Sequence, residues 1–140
     1  MDRLFLDANV LFSAAHGQWS RMRELWHLVE VELLSSAYAV AEAHRNLAEA
    51  KPENLAALES LIRDIVLVGC SEMQSADPAG LADKDVPILA AAIEAGATHL
   101  LTGDKRHFGH LFGTTVRGVL ILPPGEYLRG KQGSSDKPEE

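Results

Sequence analysis

Residues 4–9 read Leu4-Phe5-Leu6-Asp7-Ala8-Asn9: three apolar residues, then an aspartate and two small residues that break the run. A short, continuous apolar run closed by small polar residues reads as a strand, and continuity rather than alternation marks burial on both faces. The pattern returns late in the chain, where His99 to Thr102 reads as a strand and Gly103-Asp104 leaves it. Outward from these two runs, Val31–Leu34, Ile65–Val68 and Val119–Leu122 read as further strands, the last ended by Pro123-Pro124. Helical segments fall between them. Met22, Leu25, Trp26 and Val29 share one face of a segment from about Ser20 to Val29. Ser35 and Ser36 can cap a helix running to about Ala50. Pro52 suits the first turn of a helix carrying Leu55, Leu58, Leu61 and Ile62. A further helix spans about Lys84 to Glu94, with Pro87 in its first turn and Gly96 as its stop, and a short one follows Asp104 to about Phe112. Glu72 to Ala82, with Asp77-Pro78 and Gly80, reads as a loop.

Strands alternating with helices predict an α/β domain: a central parallel sheet covered by helices on both faces, three layers in all. The chain has 140 residues, enough for one domain, which we place at residues 1–128. Residues 129–140 are polar and expected to form a disordered tail. In such folds ligands bind beyond the carboxyl ends of the strands, so residues just after a strand carry the chemistry.

Apolar residues make up 46% of the chain and aromatics are few, so the core must be built from Leu, Val, Ile and Ala. Cys70 is the only cysteine, which excludes an internal disulfide and suits a reducing compartment. The apolar stretch from Leu4 to Ala15 is interrupted by Asp7 and Asn9 and lacks a basic leader, so it does not read as a secretory signal. No stretch approaches the roughly 20 apolar residues that cross a bilayer. A cytoplasmic protein is expected. The net charge of −7 runs against the usual basic surface of a nucleic-acid binder. An acidic surface can serve solubility alone, or some carboxylates can belong to a metal site whose cations reverse the local field.

Asp7 directly follows the first strand and Asp104 lies just beyond the His99–Thr102 strand, both where the fold places chemistry. Glu42 sits in a helix among Ala37, Ala39, Val40, Ala41 and Ala43, where a carboxylate turned inward without a partner is costly. Turned outward, it finds Arg45 and Asn46 one turn on. Asp83 and Asp85 flank the start of the Lys84–Glu94 helix, where aspartates serve as caps and favour the helix dipole. Residue chemistry alone does not choose between cap and ligand. Grouped in one cleft, these acids suit Mg²⁺ or Mn²⁺, which prefer hard oxygen donors. The chain shows no nucleophile elbow, no P-loop and no GxGxxG; Gly-Lys-Gln-Gly-Ser-Ser at 130–135 lacks both the spacing and the following helix.

Four segments, taken in order, resemble the motifs of the PIN-domain family. Leu6-Asp7-Ala8-Asn9-Val10-Leu11 resembles the opening motif, with an aspartate ending the first strand. Tyr38 to Leu47 resembles the helix with the family's glutamate, at Glu42. Lys84 to Ala92 resembles the third acidic motif, at Asp85, and Leu100 to Lys105 the fourth, with Asp104 as the acid and Thr102 as the nearby hydroxyl. The resemblance covers roughly residues 3 to 125. It implies a three-layer α/β/α domain and Mg²⁺- or Mn²⁺-dependent endoribonuclease activity. It also implies the habits of VapC-like toxins: an antitoxin partner encoded separately, and a homodimer. Under it Asp7, Glu42, Asp85 and Asp104 hold the metal, Asn9 and Thr102 support them or touch phosphate, and Lys105 or Arg106 meets the RNA backbone. Asp83 is extra to the pattern and is treated as a cap or outer neighbour.

Two rival functions share these residues. Haloacid-dehalogenase-like phosphatases also open with an aspartate after a first strand, but usually carry a second two residues later, where this chain has Asn9. A non-catalytic RNA-binding or protein-interaction module on the same fold needs no metal. Elsewhere, His107 and His110 offer imidazoles to a transition metal, without a Cys or His at zinc spacing beside them. Trp19 and Trp26 can stack on bases, although core or interface packing is the plainer reading. The Met22/Leu25/Trp26 face suits either core or a dimer seam.

Overall fold

The computed structural model describes residues 1–17, 20–69 and 85–136. Its centre is a six-stranded sheet in the order β3-β2-β1-β4-β6-β5. The strands are β1 (Asp2–Leu6), β2 (Val31–Ser36), β3 (Val66–Val68), β4 (His99–Leu101), β5 (Thr115–Val116) and β6 (Val119–Leu122). All neighbours are parallel except β5, which pairs antiparallel with β6 at the edge. The helices are α1 (Ala8–His16), α2 (Ala37–Ala50), α3 (Leu55–Ile62), α4 (Val86–Glu94), α5 (Lys105–Phe108) and α6 (Pro124–Asp136). The predicted α/β/α architecture and the five strands expected from the sequence are all present.

The strand order explains the layers. The chain moves outward from β1 to β2 to β3, then returns to the other side of β1 for β4 and β6. Right-handed crossovers therefore lay the connections of the two halves on opposite faces. The direction reverses between β1 and β4, which opens a crevice at their carboxyl ends. Leu4, Phe5 and Leu6 are fully buried there, as are Leu100 and Leu101 alongside. That is why both strands read as unbroken apolar runs.

Several elements differ from the expectation, each for a local reason. Asp7-Ala8-Asn9 is not a break but a helix start: Asp7 is the N-cap of α1, and its Oδ1 accepts from the Ala8 amide at 2.7 Å. The stretch from Leu4 to Ala15 is thus one strand and one helix, the helix burying Val10, Leu11, Ala14 and Ala15. The Ser20–Val29 segment forms a 3₁₀ helix, Arg21–His27, rather than an α-helix. Its tighter winding stacks Met22 over Leu25, and Val29 falls beyond its end, 80% exposed. Leu25 is buried, Met22 and Trp26 pack partly buried against the core, and Trp26 donates through Nε1 to the Leu61 carbonyl at 3.0 Å. β2 runs on to Ser36 because Ser35 is buried and its hydroxyl donates to the Leu6 carbonyl at 2.9 Å.

β5 was not expected. It pairs with β6 across Arg117 and Gly118, both at positive φ (50° and 88°), as a two-residue hairpin turn requires. The region expected to be a disordered tail is helical as far as Asp136, within α6. Pro124 suits the first turn, and the buried Tyr127 and Leu128 anchor the helix to the core. Trp19, Cys70, the 72–82 loop, Asp83, Lys84 and residues 137–140 lie outside the described residues.

Candidate active site

The backbone at the β1–β4 crevice continues the ladder past the strands. The Asp7 amide donates to the Leu101 carbonyl and the Thr102 amide to the Leu122 carbonyl, each at 3.1 Å. These bonds set Asp7 and Thr102 side by side although 95 positions separate them. The Thr102 hydroxyl is fully buried; it donates to Asp7 Oδ2 at 2.8 Å and accepts from the Asp104 amide at 3.1 Å. Asn9 bridges the two chain ends. Its Nδ2 lies 3.3 Å from both Asp7 Oδ2 and Thr102 Oγ1, and its Oδ1 accepts from the Gly103 amide at 2.9 Å. Gly103 stands close: a Cβ there would lie 3.5 Å from that same Oδ1.

The other acids arrive from helices. Ser36 caps α2, its hydroxyl accepting from the Ala39 amide at 3.2 Å. Ala39, Ala43 and Leu47 form the buried face of α2, and Glu42 stands at the border of that face, half-buried beside the crevice. Among the described residues it forms no ion pair with Arg45, the partner that an outward-facing role offered. Asp85 occupies the N-cap position of α4, yet its side chain makes no capping hydrogen bond. It is buried, with Oδ2 3.6 Å from His107 Nδ1. Asp104 does cap: its Oδ1 accepts from the His107 amide at 3.1 Å, which starts α5.

Asp7, Asn9, Glu42, Asp85 and Asp104 thus line one cleft of about 1020 Å³. Asp7 feels the crowding. Burial pushes its carboxyl up to about 6, the hydrogen bonds from Thr102 and Ala8 oppose the rise, and the charges of Glu42 and Asp85 add to it. A cluster of carboxylates held this close is relieved by a divalent cation. The donor set, mostly carboxylate oxygen, fits Mg²⁺ or Mn²⁺. The structure thus brings the four candidate acids and Asn9 to one cleft, with Thr102 buried behind Asp7.

It missed two neighbours. His107 stands with Asp85 and Asp104 in a group whose ligand atoms lie within 4.8 Å of one another. Its Nδ1 is 2.7 Å from Asp104 Oδ2. The signal is its place three residues after Asp104, but the sequence pairs it with His110 as a transition-metal candidate and not with the acids. Tyr38, one turn before Glu42 on α2, was quoted only as part of a motif. Its hydroxyl is held above its ordinary value by burial first, then by the charges of Glu42 and Asp85.

No protein-family model matches the sequence, and no curated protein matches it. Solved structures do. One is a chain of the VapBC2 complex from Rickettsia felis, crystallised on a DNA fragment of its promoter. It aligns with a TM-score of 0.61 at 13% identity, covering 86% of this chain and 98% of that one. Another is Mycobacterium tuberculosis VapC20, a toxin that cleaves the sarcin–ricin loop. It aligns with a TM-score of 0.60 at 12% identity, covering 81% and 97%. Identity this low speaks to architecture, and on architecture the result is plain: the chain has the PIN-like α/β/α fold of the VapC toxins.

Proposed function

We propose that the chain is a divalent-metal-dependent endoribonuclease and the toxin half of a toxin–antitoxin pair. One observation carries the reading. Acids from four separate elements, Asp7, Glu42, Asp85 and Asp104, meet in one cleft at the point where the strand order reverses. Mg²⁺ or Mn²⁺ bound there acidifies water and neutralises charge on the phosphodiester. Asp7, Asp85 and Asp104 would hold the ion, and Glu42 would hold it or orient water beside it. Thr102 and Asn9 keep Asp7 in place through the hydrogen bonds already described. Lys105 and Arg106, exposed on α5 next to Asp104, meet the RNA backbone. They supply the positive charge that an acidic protein needs locally.

The fold shared with VapC20 supports RNA as the substrate, and the VapBC2 complex supports an antitoxin partner. Homodimerisation and a cytoplasmic site of action complete the proposal. Among the described residues no helix is long and apolar enough to cross a membrane. The phosphatase alternative needs Asp7 as a nucleophile. Both its oxygens accept hydrogen bonds, Oδ1 from Ala8 and Oδ2 from Thr102, and only 6% of the residue is exposed. That geometry suits a fixed ligand better than an attacking group.

The test is cleavage of total RNA by the wild type and by Asp7→Asn, with Mn²⁺, Mg²⁺ or EDTA. Cleavage that needs metal and vanishes in the variant supports the reading. Retained cleavage by a folded Asp7→Asn protein sinks the assignment of Asp7. RNA held equally well in EDTA and left intact favours the binding module, and turnover of p-nitrophenyl phosphate with Mg²⁺ favours the phosphatase.

A further inference from the structure

His107 does more beside Asp104 than capping requires. The cap of α5 is made by the His107 backbone amide to Asp104 Oδ1, a bond that almost any residue at this position supplies. The imidazole is additional. Its Nδ1 lies 2.7 Å from Asp104 Oδ2 and 3.6 Å from Asp85 Oδ2. An octahedral ion bonded at about 2.1 Å sets neighbouring donor atoms about 3 Å apart; the imidazole nitrogen stands near that spacing from each carboxylate oxygen, and one ligand atom from each residue falls within 4.8 Å of the others. While Nδ1 donates to Asp104 it carries the ring proton. With that proton on Nε2, the same nitrogen offers a lone pair to an ion held by the two carboxylates.

We propose that His107 is a nitrogen ligand of the divalent site and makes the cleft select Mn²⁺ over Mg²⁺. The inference rests on the metal-dependent reading above and adds to it the choice of ion. Imidazole suits borderline transition ions, whereas Mg²⁺ prefers all-oxygen surroundings and gives up its water reluctantly. Carboxylates alone leave that choice open; one nitrogen among them decides it.

Two measurements on RNA-free protein test this. In pulsed electron paramagnetic resonance, Mn²⁺ bound to the wild type shows ¹⁴N coupling from imidazole, and His107→Gln loses it. In calorimetry the wild type binds Mn²⁺ at least about tenfold more tightly than Mg²⁺. His107→Gln weakens Mn²⁺ by about 10- to 100-fold and Mg²⁺ far less, in the range that losing a ligand or its support costs. If His107→Gln does not fold, the wild-type coupling decides alone. Bound Mn²⁺ without nitrogen coupling overturns the inference and leaves the nuclease reading standing. Equal loss of both ions also overturns it, because His107 then only positions Asp104. Neither ion binding to the folded wild type overturns the inference and the metal-dependent reading together.

Discussion

Asp7 ends β1, starts α1 and faces the cleft, and these roles pull on it differently. As a cap it benefits from charge; as a buried acid beside Glu42 and Asp85 it does not, and its carboxyl is pushed up to about 6 from 3.8. For an acid raised in the folded state, the folded protein binds the extra proton between the two values. Stability therefore falls as pH rises from about 4 to 6 and stays lowered above that, by about 3 kcal/mol for a shift of this size. Metal-free Asp7→Asn should accordingly gain stability on the wild type across that window. Adding Mn²⁺ should shrink the gap at neutral pH, as melting curves at several pH values can check. Thr102→Val removes a fully buried hydroxyl that serves Asp7, Asn9 and the Asp104 amide. The expected loss is about 1–3 kcal/mol in urea unfolding, with metal affinity down about 10- to 100-fold by calorimetry. These partnerships were not legible in the sequence. Thr102 and Asp7 are brought together by strand pairing, which no local pattern encodes, and only the resemblance grouped them.

At the scale of elements, the strands were readable because burial on both faces writes itself as apolar runs, as in Leu4–Leu6 and Val119–Leu122. α2 was readable through Ser36, whose cap holds the helix that presents Glu42. Ser36→Ala should cost about 1 kcal/mol in urea unfolding while the folded protein keeps its affinity for Mn²⁺. α1 was not readable, because an aspartate and an asparagine after a strand look alike whether they break the chain or cap a helix. Nor was α6, whose polar sequence hides two anchors. Tyr127 and Leu128 are buried, and the Tyr127 hydroxyl donates to Asp2 on β1. That bond holds the Asp2 carboxyl below its usual value and helps burial push the phenol up. Tyr127→Phe should destabilise the protein by about 1 kcal/mol, a charged-acceptor bond discounted for the partial exposure of Asp2, with most loss near neutral pH. A melting curve unchanged by this substitution would show that α6 is held without the Tyr127 hydroxyl, by its apolar contacts and the Lys131–Asp2 ion pair.

Across the whole molecule, the net charge of −7 fits the proposed RNA substrate only if the negative charge is focused where cations gather. Saturating Mn²⁺ should therefore raise the unfolding free energy, by about 2.7 kcal/mol at a hundred times its dissociation constant, and EDTA should reverse it. The alternation of strands and helices made the layered architecture legible from the sequence. The strand order was not, since β4 returns to the far side of β1 only through long-range pairing. That return has a temporal meaning during synthesis. Asp7 and Glu42 leave the ribosome early, whereas Asp85, Thr102 and Asp104 follow in the last two-fifths of the chain, and β6, which supports β4, ends at Leu122. A nascent fragment that stops short of Asp85 lacks two of the four acids. Until β4 and β6 have been made, the acids cannot assemble, and a partial chain is without whatever chemistry the complete cleft performs.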